Sequence, residues 1–97
     1  GGGVKMEEKV LQLGERRAIT LKIWLKDNAA FTPQNCEWDL SYTDSKEAQG
    51  TILPEQDGAY WNLRCEIQPK RRTVYNLTFT FQVGSEIVKK AIRIRVI

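Results

Sequence analysis

The chain has 97 residues, with 15 Lys and Arg against 12 Asp and Glu, no His and two Cys. A single domain of this size buries roughly two thirds of its surface on folding, enough for one core. The missing His removes the commonest general base and metal ligand; a net charge of +3 is too mild to imply a nucleic-acid partner; and no apolar run is long enough for a membrane-spanning helix.

Gly1-Gly2-Gly3 reads as a cloning remnant, and residues 1–8 as a flexible lead-in to one domain over residues 9–97. Val10 to Leu13 is expected to form a short first strand, ended by Gly14-Glu15. From Ala18 to Leu25 the chain alternates, with Ile19, Leu21, Ile23 and Leu25 on one face and Thr20, Lys22 and Trp24 on the other. Successive strand side chains point to opposite sides, so this is a strand with a dry and a wet face. Asp27-Asn28 is turn chemistry, and a loop containing Phe31 and Pro33 follows.

Cys36 to Tyr42 alternates again and places Cys36, Trp38 and Leu40 on the core side. Thr43 to Gly50 is polar; it reads as a turn-rich connection, with at most one helical turn at Asp44-Ser45-Lys46-Glu47. Thr51 to Leu53 is expected as a short fourth strand, stopped by Pro54. Tyr60 to Ile67 puts Trp61, Leu63, Cys65 and Ile67 inward, with Tyr60, Asn62, Arg64 and Glu66 outward. Lys70-Arg71-Arg72 is a basic loop. Beyond it, Tyr75, Leu77, Phe79, Phe81 and Val83 share one face of a long strand. Gly84-Ser85 turns the chain into a last strand carrying Ile92, Ile94 and Val96, which makes a hairpin.

Seven short alternating strands define an all-β chain, expected as a seven-stranded antiparallel sandwich. The layout resembles the immunoglobulin-like and fibronectin type III superfold. Trp38 on the third strand is similar in place to the buried tryptophan of that group. Tyr75, near the start of the sixth strand, is similar in place to its tyrosine corner. Asp57-Gly58-Ala59-Tyr60 looks like the Asp-x-Gly-x-Tyr turn of such domains, but Cys65 follows Tyr60 by five residues rather than two and a full strand comes after it, which puts Tyr60 before the fifth strand and not the sixth. The cysteines do not fall on the second and sixth strands, so the antibody-type bridge has no place. The resemblance implies that the first, second and fifth strands share a sheet, with the third, sixth and seventh in the other and the fourth in either. It also implies a structural or interaction module like those appended to phage virion and bacterial surface proteins, with an extracellular or virion-surface location. An accessory carbohydrate-binding or spacer domain of a secreted enzyme is the alternative.

The candidate sites are surface features. Trp24 and Tyr60 lie on the outward side of two strands that are antiparallel neighbours in this superfold, so the end of one meets the start of the other. Together with Phe31 they are candidates for a contact patch toward protein or glycan, against a plainer role as cross-strand packing. Lys70, Arg71 and Arg72 are candidates for an anion contact, against a plainer role as a solvated loop. Cys36 and Cys65 both point to the core, as a bridge across the interior or as two separate thiols. The Asn76-Leu77-Thr78 glycosylation sequon is read as a chance match. No catalytic residue, metal site or cofactor is assigned.

Overall fold

The computed structural model describes residues 7–27 and 30–97. The expected lead-in over residues 1–6 and Asn28 of the expected turn lie outside the described residues. Eight strands form among the described residues, and no helix: β1 (Glu8–Leu11), β2 (Arg17–Ile23), β3 (Gln34–Tyr42), β4 (Ser45–Thr51), β5 (Glu55–Asp57), β6 (Tyr60–Ile67), β7 (Val74–Val83) and β8 (Glu86–Val96). They build a five-stranded sheet in the order β1-β8-β7-β3-β4 and a three-stranded sheet in the order β2-β6-β5.

The β7–β8 hairpin is the spine. It runs in unbroken antiparallel register from Val74↔Arg95 to Val83↔Glu86. Gly84 takes φ +60 in the two-residue turn, a backbone conformation that favours glycine. On the inner face Tyr75, Leu77, Phe79 and Phe81 from β7 meet Ile92, Ile94 and Val96 from β8. Ile19, Ile23, Leu63, Cys65 and Ile67 close the core from the three-stranded sheet.

Four expectations are corrected. The first is that the strands are not all antiparallel: β1 runs parallel to β8, from Glu8↔Arg93 to Leu11↔Val96, and not beside β2. There Leu11 is fully buried. The Ile97 amide donates to the Leu11 carbonyl at 2.9 Å, and an Arg95–Glu8 ion pair of 2.8 Å lies alongside.

The second concerns the polar stretch read as a turn, which is β4, paired with β3 through a hairpin at Thr43-Asp44. It is an edge strand with little apolar side chain to bury, so its sequence carries no alternation. The third correction is to the expected strand over Thr51 to Leu53. Thr51 ends β4, the Ile52 side chain drops into the core, Leu53 is 88% exposed, and the short β5 follows. Last, Leu21, Trp38 and Trp61, expected in the core, are half-buried and pack against it. Trp38 is partly open because five strands span more width than three, at about 4.8 Å per strand. The indole lies over Gly50 on β4, where a Cβ would sit 2.7 Å from its Nε1.

Among the described residues no helix is long and apolar enough to cross a membrane.

Candidate contact surface

The β2–β6 ladder sets the geometry. Ile23 pairs with Trp61, so Trp24, one residue past the strand end, lies opposite Tyr60, the first residue of β6. Both side chains point away from the core. Their rings meet edge to face, with centroids 5.6 Å apart and planes at 79°. The Lys22 ammonium sits 5.1 Å from the Tyr60 ring centroid, a cation–π contact that keeps a charge at the rim. Trp24 remains 56% exposed and Tyr60 41%.

Phe31 takes a different position from the one expected beside that pair. It is half-buried and packs against the core, and its carbonyl accepts a hydrogen bond from Trp61 Nε1–H at 2.9 Å. That bond ties the loop after β2 to β6. Phe31 and Trp24 share the lining of an open cleft of about 310 Å³, with Leu21, Ile23, Phe81 and Val88. The cleft runs between the free edge of β2 and the first half of β8. Sequence reasoning missed it. The signal was there: Glu86 and Lys90 fall on the inward parity of β8, where a covered face would need apolar residues.

Asn62 sits on the same outer face, between Lys22 of β2 and Glu55 of β5 in the register. Its Oδ1 is buried without a hydrogen-bond partner. A buried orphan acceptor costs about 1–3 kcal/mol.

The basic loop is built differently from a bare cationic patch. β3 and β4 shift register between Leu40↔Ala48 and Ser41↔Lys46, so Glu47 is the extra residue of a bulge. Bulges re-aim side chains, and the Glu47 carboxylate here meets the Tyr75 hydroxyl. Tyr75 Oη–H donates to Glu47 Oε1 at 2.7 Å. The Arg71 amide donates to Tyr75 Oη at 3.1 Å, and the Lys70 amide to Glu47 Oε2 at 3.1 Å. Arg71 lies over the Tyr42 ring at 5.2 Å, and Tyr42 meets Tyr75 edge to face. Burial first, and then the bond to Glu47, push the Tyr75 hydroxyl up to about 12. An anion approaching Lys70 and Arg71 therefore meets a carboxylate between them. Arg72 is exposed.

Cys36 on β3 and Cys65 on β6 lie in the core as separate buried thiols. Burial pushes the pKa of both thiols up, that of Cys65 to about 12. Each is a small hydrophobe at neutral pH, since the reactive thiolate is disfavoured.

Comparison with protein-family models and with curated proteins gives no match. The two sheets and the outer-face aromatics define an all-β protein with an exposed aromatic pair beside an apolar cleft.

Proposed function

We propose that this chain is a non-catalytic, immunoglobulin-like contact module of a larger virion or cell-surface protein, and that it meets a protein neighbour through Trp24 and Tyr60. The observation that carries the reading is the exposed edge-to-face pair, held by the β2–β6 register and flanked by Lys22. Tryptophan and tyrosine dominate binding energy at protein interfaces because they bury much area at little entropic cost. Two rings at 79° do not offer one flat platform for a sugar face, so the pair favours a protein neighbour over a glycan.

The immunoglobulin-like part of the reading draws on three features. β2 pairs with β6, and β3 with β7, which pairs in turn with β8, as in such sandwiches. Trp38 stands on β3 and packs against the core. The Tyr75 hydroxyl is bonded to the backbone of Arg71, four residues upstream, in the manner of a tyrosine corner.

Replacing Trp24 with Ser and Tyr60 with Thr tests the function. The doubly substituted chain keeps its circular dichroism spectrum, and association within the parent assembly weakens by roughly tenfold or more, as loss of two aromatic anchors dictates. Unchanged association would reduce the pair to cross-strand packing. Oligosaccharide binding that vanishes with the same two changes would move the chain to the carbohydrate-binding reading.

A further inference from the structure

The five-stranded sheet turns its outer face away from the three-stranded one, and the side chains on that face are exposed or half-buried. The register sets them in rows. One row runs Thr51, Glu37, Thr80, Lys89 across β4, β3, β7 and β8. The next runs Gln49, Asp39, Thr78, Ala91. The third runs Lys46, Ser41, Asn76, Arg93 and on to Glu8 of β1. On this face β3 therefore carries the carboxylates of Glu37 and Asp39, and β8 the cations of Lys89 and Arg93. The stripe between them, on β7, is uncharged. Asp39 accepts a hydrogen bond from Ser41, Lys89 donates to Thr80 and Lys46 to Gln49. None of Glu37, Asp39, Lys46, Lys89 and Arg93 has an ion-pair partner among the described residues.

We propose that this face binds the same face of a second copy of the chain, across a two-fold axis that runs along β7. Such a rotation keeps every row at its height and exchanges the two sides of the face, so β8 of one copy lies over β3 of the other. Lys89 then comes opposite the second copy's Glu37, Arg93 opposite its Ser41, and Glu8 opposite its Lys46, each contact made twice. The second copy's Asp39 meets Ala91, between Lys89 and Arg93. An axis across the strands would set β8 over β8 and β3 over β3, like charge over like, so the charges select the axis along β7. The rotation also carries the sheet onto a surface of the same twist, which keeps the two faces parallel. Relief matches charge: an open hollow of about 380 Å³ is lined by Glu37, Asp39, Lys46, Gln49 and Thr51, where the long basic side chains of the opposing β8 arrive. The face is about 24 Å wide over the five strands and about 20 Å long from Val74 to Thr80, so two copies cover roughly 1,000 Å² in all, the lower end of specific interfaces. The dimer is therefore weak and polar.

Sedimentation equilibrium of the full chain, from micromolar to millimolar concentration at physiological ionic strength, tests this. A reversible monomer–dimer equilibrium is expected. Lys89→Glu sets a carboxylate over the second copy's Glu37, and Glu37→Lys sets an ammonium over its Lys89. Each change, repeated by the symmetry, should weaken dimerisation at least tenfold. Both positions are exposed, so the circular dichroism spectrum should not change. The two substitutions in one chain restore opposite charges across the axis and should return the dissociation constant to within about threefold of the native value. A chain that stays monomeric at millimolar concentration overturns the proposal. So does a dimer that neither single change weakens, or a double variant no tighter than the single ones. Trp24→Ser with Tyr60→Thr lies on the other sheet and should leave this equilibrium unaltered, so the dimer and the contact through the aromatic pair fail separately.

Discussion

Phe79 is the residue on which the sandwich most depends. It is fully buried at the middle of β7, with Trp38 of β3 on one side in register and Lys90 of β8 on the other. Phe79→Ala therefore costs the full transfer and cavity penalty, about 3–5 kcal/mol. A domain of this length holds about 5–15 kcal/mol in total at 0.05–0.15 per residue. At about 4–8 °C per kcal/mol for a domain of this size, the melting temperature should fall by roughly 12–40 °C. Asn76→Ala, on the exposed face of the same strand, serves as the control and should shift it by only a few degrees. Thermal unfolding followed by circular dichroism reads both. If Phe79→Ala melts within about 5 °C of the native chain, a shift worth only about 1 kcal/mol, the side chain does not face the core and the register of β7 is wrong.

Asn62→Leu removes the orphan carbonyl on the outer face and should raise stability by about 1 kcal/mol; a lower denaturation midpoint would mean that the amide makes bonds the structure does not contain. Gly50→Ala should cost about 1–3 kcal/mol, although alanine is better than glycine in most strands, because its Cβ meets the Trp38 indole at 2.7 Å; a shift in tryptophan fluorescence should accompany the loss. Tyr75 predicts an alkaline limit. Its folded-state ionisation lies near 12 against an ordinary value of 10, so folding favours the neutral phenol. The stability this contributes is complete below pH 10 and is lost as the pH rises toward 12, by about 2–3 kcal/mol. Tyrosinate absorbance should show a step near pH 12 that Tyr75→Phe removes, and the same change should flatten that part of the pH–stability curve. An absorbance profile that Tyr75→Phe leaves unchanged near pH 12 would contradict the Glu47–Tyr75 bond.

What could be read in the sequence was what alternation records. The β7–β8 hairpin, β2 and β6 carry apolar side chains on every second residue, and the parity of β2 and β6, with the strand adjacency that the resemblance implied, placed Trp24 and Tyr60 on one outer face. β4 was invisible because its working residues are not apolar: Gly50 makes room for Trp38, and Glu47 bonds Tyr75 from a bulge. Nothing local distinguishes a strand that adds parallel to β8 from one that pairs with β2, since Leu11 buries one side chain in either place. The cleft was hidden for a related reason. Pattern reading of the last strand rested on Ile92, Ile94 and Val96, and the polar Glu86 and Lys90 on its inward side register only once β8 is seen to extend past the cover of β1.

Oxidative footprinting of Trp24 tests the contact surface most directly, because it asks whether the indole is covered without altering it. In the isolated chain Trp24 is more than half exposed, at 56%, and should label readily. In the parent assembly its labelling should fall several-fold, and Tyr60 should follow, while half-buried Trp38 keeps the same low rate in both states. Equal labelling of Trp24 in the isolated chain and in the assembly would contradict the account.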